Sequence, residues 1–504
     1  MLRDNIYADC AREVLALENL EINNLKLCDS FIVGGLPYAK LVDPIFASYY
    51  LPSLSAGSKT RANICFLLIV ARMLRDYIIG EDGGIISGTI VTPGKNSQGD
   101  VFFLNFSPKH YSQVFAALDS FAPYRDRYST ICIGLWKNSE NGSEGNNKQY
   151  NYKVGNGHEG GDKIDYRLLA DFEKLALSSP QLSPESFRIR ENYFRLMKMH
   201  LRLKAPRLGA FARSAAEMFS NTTPRLVCAG DFCDVRCRVF FLLAKQFSVP
   251  TFVIQQGLVD YKQSDLFFPV SDLVALWNEE TLRVVRDMGV SRAEFIVTGN
   301  PGYDKYFVPN SAVNVVDKTA LFLSQPAHRH GISKSKMDRM KRSILLAFPE
   351  KGKYKLIIKP HPDESPNYYK KLVKELGGVS AEILSPDADT SLYILKSYAI
   401  IGFYSTSLME AIAADKPIMV FDEDAQYNTY APYERKGAAL GVKNAEGIQS
   451  FLRDYRASKQ LRERLRTGRC EFLKENFPLP QGKATERVFS AIERIINVKE
   501  LGTD

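Results

Sequence analysis

The second half of this chain alternates short, almost wholly apolar runs with amphipathic stretches, and that alternation constrains the fold more than any other feature. Residues 319–324, 355–359, 382–384, 398–403 and 417–421 read as strands, separated by helical stretches near 336–347, 367–376, 391–396 and 407–414. Strands that are apolar throughout, rather than at every second residue, need cover on both faces. Intervening helices supply the crossovers that a parallel sheet requires. The expected fold class is α/β, with a doubly wound Rossmann-like sheet in this half.

The first half repeats the pattern less cleanly. Runs at 101–106 and 129–135 flank an amphipathic stretch from 111 to 121, which suggests a βαβ unit. A long helical region, 166–219, follows. Strand and helix then alternate through 225–229, 236–247, 251–254, 273–277, 279–288 and 294–297. At 504 residues the chain exceeds what one core organises. The expected division is an N-terminal segment of unclear organisation (1–95), a first Rossmann-like domain on the acceptor side (96–310), a second on the donor side (311–480), and a C-terminal helix (481–504) packing back on the first. Residues 138–162, rich in Asn, Gly, Glu and Lys, read as a mobile loop.

Composition narrows the function. The chain is 45% apolar and 24% charged, as ordinary globular proteins are. Its longest apolar run, 62–71, falls short of the roughly 20 residues of a membrane-spanning helix. The N-terminus has no apolar core with a small-residue cleavage site, so the cytoplasm is the expected compartment. Among eight scattered cysteines, Cys228, Cys233 and Cys237 cluster but lack a partner pair at zinc spacing, and read as core. A net charge of +9 attracts polyanions, phosphorylated substrates or anionic lipids. No nucleic-acid module is present in the sequence. The charge therefore suits a phosphorylated donor and an acidic or membrane-borne acceptor.

Parallel α/β sheets bind ligands beyond the carboxyl ends of their strands, which selects three segments. Lys359-Pro-His-Pro362 follows one strand, and its prolines stop that strand. His361 there can donate to a phosphate oxygen while Lys359 adds positive charge; the plainer alternative is a histidine capping a turn. Ser405, Thr406 and Ser407 lie between a strand and a helix, where hydroxyls and unpaired N–H groups suit a phosphate. The plainer alternative is an N-cap.

In the first domain, Gly230-Asp231 and Gln255-Gln256-Gly257 end two strands, with Asp260 just beyond. Asp231 or Asp260 suits a general base for an acceptor hydroxyl, unless Asp231 caps a helix and Asp260 is solvated. Glu81 and Asp82 are further acidic candidates. Asp387-Ala-Asp389 has the D-x-D form of metal-dependent transferases but reads as a turn before a helix. His328 and His330 read as an exposed basic loop. No metal and no cofactor are expected.

Taken together, Leu323-Ser-Gln-Pro326, Lys359-Pro-His-Pro362, Ser405-Thr-Ser-Leu-Met-Glu410, Gln255-Gln-Gly257 and Thr298-Gly-Asn-Pro301 resemble bacterial GT-B glycosyltransferases of capsule and surface polysaccharide synthesis. These are the sialyl- and polysialyltransferases, Kdo transferases and CDP-glycerol glycerophosphotransferases, and the resemblance covers 225–425. It implies two Rossmann-like domains facing a cleft. It implies that His361, Ser405, Thr406 and Ser407 hold the donor phosphate, that Glu410 reaches the nucleotide ribose, and that Gln325 lines the cleft. The implied reaction moves a sugar or glycerol phosphate from a nucleotide-activated donor, CMP or CDP ahead of UDP, to a glycan or glycolipid acceptor. It is expected to be inverting and metal-independent, at the inner membrane face.

Several relatives carry an acidic pair or a histidine where this chain has Gln255-Gln256. UDP-GlcNAc 2-epimerases offer an alternative resemblance, with a Thr-Gly-Asn turn, but carry Ser-Gly-Gly where this chain reads Ser405-Thr-Ser407. A catalytically inactive sugar-binding assembly partner is the other alternative.

Overall fold

Largely apolar runs of three to eight residues become the parallel strands of two sheets. The structure, a computed structural model, describes residues 6–51, 54, 66, 69, 85–92, 100–106, 114–136, 149–153, 164–230, 234–255, 269–287, 293–307, 315–326, 333–403, 405–422, 433–478 and 480–501. The chain forms two compact units, Met1–Gly302 with Ala484–Asp504, and Tyr303–Lys483.

The first unit is built on eight strands: β1 (Ile85–Thr92), β2 (Asp100–Leu104), β3 (Ser129–Trp136), β4 (Gln149–Lys153), β5 (Leu226–Ala229), β6 (Thr251–Ile254), β7 (Leu273–Leu276) and β8 (Glu294–Val297). Their order is β8-β7-β6-β5-β2-β3-β1-β4. The six strands from β8 to β3 run parallel, and β1 and β4 extend the sheet antiparallel.

Successive residues face opposite ways, as strand geometry requires. Phe102, Leu104, Val227 and Val253 bury against helices α1 (Ile6–Glu18), α2 (Pro184–Leu203) and α3 (Ala205–Thr222). Val101, Phe103, Leu226 and Phe252 bury on the other face against Val488, Ile492 and Ile496 of the C-terminal helix, Ala484–Leu501. Cys228 and Cys237 are buried core residues.

β4 corrects one expectation. Residues 138–162 were expected as loop throughout, yet Gln149–Lys153 pairs with β1 over five positions. Tyr150 and Tyr152 alternate with polar residues there, a pattern that suits an antiparallel edge strand once a partner exists.

The second unit holds β9 (Val316–Leu323), β10 (Lys355–Lys359), β11 (Ala381–Ile383), β12 (Ser397–Gly402), β13 (Ile418–Phe421) and β14 (Leu440–Val442). All neighbours pair in parallel, in the order β11-β10-β9-β12-β13-β14. Numbered within the unit this is 3-2-1-4-5-6, the Rossmann order, whose direction of winding reverses between the first and fourth strands. Here that switch point lies between β9 and β12.

Ala320, Phe322, Leu356, Ile358, Ala399, Ile401 and Met419 bury one face against α4 (Lys334–Leu346), α5 (Pro366–Leu376) and the later helices α6 (Ala445–Ala457) and α7 (Lys459–Asn476). Among the described residues no helix is long and apolar enough to cross a membrane.

Candidate functional site

The carboxyl ends of three adjacent strands, β10, β9 and β12, assemble the candidate site. β9 ends at Leu323 and leads into Ser324 and Gln325, at the switch point. β10 ends at Lys359 and leads into His361, and β12 ends at Gly402 and leads into Ser405. Strands two apart stand about 10 Å from one another.

After β12 the chain turns sharply into the helix Ser407–Ala413. Gly402 permits the turn: a Cβ there would lie 2.9 Å from Leu408. Elsewhere in the chain a Ser or Asp before a helix bonds its first amides, as Asp165, Ser183, Ser333 and Ser458 do. Thr406 makes no such capping bond. Ser405 is buried, and its hydroxyl has no hydrogen-bond partner among the described residues. The plain N-cap reading is therefore absent from the geometry. A buried, unsatisfied hydroxyl costs about 1–3 kcal/mol; the hydroxyls of Ser271 and Ser397 are in the same state among the described residues, and what distinguishes Ser405 is its place after the carboxyl end of β12. The helix spans only seven residues, about two turns, so its dipole is small and the hydroxyls carry the assignment.

His361 is fixed from within its own turn. The Asp363 amide donates to Nδ1 at 3.0 Å, so in the neutral ring the proton sits on Nε2, the tautomer that can donate from that nitrogen. The Asp363 carboxylate lies 3.4 Å from Nδ1.

Lys359, expected to add positive charge at the site, is tied to backbone carbonyls. It is buried, and its ammonium donates to the carbonyls of Pro386 at 2.6 Å and Pro360 at 3.3 Å, tying β10 to the loop before the helix Thr390–Lys396. Burial pushes its pKa down, with Asp387 opposing.

Glu410 is also buried, and it accepts the Tyr306 hydroxyl at 2.7 Å. Asp389 accepts from the amides of Ser391 and Leu392, so the second acid of the D-x-D caps a helix.

In the first unit, Gln255 is buried. Its side-chain oxygen accepts the Trp277 amide at 2.8 Å, and its carbonyl accepts the indole N–H at 2.7 Å. It joins β6 to β7. Asp231, Gln256, Gly257, Asp260, Glu81, Asp82, His328 and His330 lie outside the described residues. Sequence reasoning passed over Ser324, Glu364, Tyr369, Tyr306 and Tyr433, all in contact with the site segments. The only local signal was the three-residue spacing of Glu364 from His361.

Residues 270–494 match the family model described as CDP-Glycerol:Poly(glycerophosphate) glycerophosphotransferase. The match bears out the resemblance to the glycerophosphotransferase group. Together with two Rossmann-like units it defines the class, a nucleotide-dependent transferase of the α/β two-domain kind.

No curated protein matches the chain. Among solved structures it is similar to the S. aureus MnaA–UDP co-structure, at 16% identity and TM-score 0.48 over 79% of this chain and 97% of that one. It is similar to UDP-GlcNAc 2-epimerase from Neisseria meningitidis bound to UDP-GlcNAc, at 15% identity and TM-score 0.46 over 78% and 99%. It is likewise similar to a variant of the wall teichoic acid polymerase TagF, at 12% identity and TM-score 0.46 over 80% and 90%.

Proposed function

We propose that the second unit grips the phosphates of a nucleotide-activated donor between Ser405, Thr406 and His361, and that the chain transfers a glycosyl or glycerophosphate group in surface-polymer synthesis. The observation that carries this reading is the buried, unpartnered hydroxyl of Ser405 beside an uncapped Thr406 at the end of β12, where the sheet order reverses. A phosphate oxygen would satisfy that hydroxyl, and Nε2–H of His361 would meet the charge that builds on the departing phosphate.

In the transfer, an acceptor hydroxyl oxygen bonds to the sugar's anomeric carbon or to the glycerol-bearing phosphorus. The bond from that atom to the nucleotide phosphate oxygen breaks, and the nucleotide leaves with the electron pair. The hydroxyl proton passes to a general base, for which Asp231 and Asp260 are the candidates. A cytidine donor is favoured, on the family match across 270–494. The +9 charge suits a polyanionic product and a station at an anionic membrane face.

The test is nucleotide release from CDP-glycerol, CMP-sugars and UDP-GlcNAc, each with and without a glycan or poly(glycerol phosphate) acceptor. Acceptor-dependent release, falling on the order of a hundredfold in His361→Ala, is the expected result. Conversion of UDP-GlcNAc with no acceptor would replace transfer by epimerisation. Binding without turnover on any acceptor would leave an inactive binder.

A further inference from the structure

The turn that carries His361 is anchored from beneath by a buried network that sequence reasoning did not single out. Glu364 closes the turn twice. Its amide donates to the His361 carbonyl at 2.8 Å, and its carboxylate Oε2 accepts the His361 amide at 3.0 Å. The other oxygen, Oε1, accepts the Tyr369 hydroxyl at 3.0 Å and pairs with the Lys341 ammonium. Tyr369, having given its proton to Glu364, accepts from the Ser324 hydroxyl. The Lys341 ammonium also lies 5.1 and 5.4 Å from the ring centroids of Tyr368 and Tyr369.

Ser324 follows β9 and His361 follows β10, so one chain of side chains ties together two strand ends at the candidate phosphate site. The side chains of Lys341 and Glu364 are 4% and 7% exposed. A buried ion pair of this sort rarely gains stability over an apolar pair of equal volume. A pair of this sort, its carboxylate hydrogen-bonded at both oxygens, suits a group whose task is to hold a geometry.

We propose that Glu364 is a positioning residue: through Lys341, Tyr369 and Ser324 it fixes the His361 turn, and so the tautomer and direction of the imidazole. Only the consequence for donor binding rests on the proposed function; the positioning itself does not. The network meets the site at the backbone of His361, so its effect is exerted through His361.

The readout is the ¹⁵N imidazole spectrum of the full chain, with the His361 signal assigned by its loss in His361→Asn, and with CDP affinity measured alongside. Wild type is expected to show His361 as a single Nε2–H tautomer. Glu364→Ala, checked for folding by circular dichroism, is expected to show mixed tautomers and CDP affinity at least tenfold weaker. Should that variant fail to fold, the double variant Lys341→Met with Glu364→Leu removes both buried charges and the acceptor of the His361 amide together, and the same mixed signal is expected. An unchanged single-tautomer signal in whichever variant folds would overturn the positioning role, as would a wild type lacking the Nε2–H form. If wild type binds no nucleotide, the proposed function fails while the spectrum still decides this inference.

Discussion

The phenol of Tyr433 donates to the backbone carbonyl of Ser405 at 2.9 Å, from a ring that is wholly buried and tilted against Phe472. This bond holds the loop after β12 from below. The turn that delivers Tyr433 is seated by close backbone approach, since a Cβ on Gly468 of α7 would lie 2.1 Å from the Gly437 carbonyl oxygen. Tyr433→Phe keeps the ring and leaves the Ser405 carbonyl with the Leu408 amide, at 3.1 Å, as its remaining donor. It is expected to lower unfolding free energy by about 0.5–1.5 kcal/mol and to weaken nucleotide binding with the fold retained. Denaturant titration with the affinity measured in parallel checks this; unchanged values for both would contradict it.

His200 sets a pH dependence in the first unit. Its ring is buried against Phe46, with centroids 5.4 Å apart, and Nδ1 bonds the Tyr38 hydroxyl. Burial, with Lys204 adding repulsion, pushes its pKa from 6.5 down to about 3. Between those values the unfolded chain binds a proton that the folded chain refuses. The contribution is complete above pH 6.5 and is lost as pH falls through the window, at up to about 1.4 kcal/mol per pH unit. Unfolding free energies at pH 7, 6 and 5 should fall less steeply in His200→Gln than in wild type. Equal slopes would assign the acid sensitivity to other groups.

Asp389 separates a cap from a metal ligand. Its carboxylate accepts the Ser391 amide at 2.9 Å, so Asp389→Ala is expected to cost about 1 kcal/mol of stability. Transfer by the folded variant should continue, and chelator treatment of wild type should leave most of the rate. Abolition by the chelator with rescue by magnesium or manganese would give Asp387 and Asp389 a metal role.

The second unit was legible because its strands, covered on both faces, are written as apolar runs; β10 was expected at 355–359 and found there. β14, three residues long, carries too little pattern to be seen, and β4 exists through its pairing with β1. His361 and Ser405 could be expected at strand ends because strand, turn and helix are local patterns. Their supports were hidden because Ser324 meets Tyr369 across 45 residues and Tyr306 meets Glu410 across 104. Side-chain direction was equally invisible, so Lys359 and Gln255, read as site groups, turned out to be tied to backbone and to Trp277.

The most direct test of the central claim is calorimetric titration of CDP, CMP, UDP and GDP into wild type and Ser405→Ala. One hydrogen bond to a charged phosphate contributes about 1.5–3 kcal/mol, roughly tenfold or more in affinity. The account predicts that cytidine nucleotides bind wild type most tightly. It also predicts that Ser405→Ala loses at least about tenfold in affinity with no loss of melting midpoint, because no partner among the described residues is removed. Tighter binding of UDP or GDP would reverse the cytidine preference alone. Wild-type affinity in Ser405→Ala would contradict the phosphate site itself.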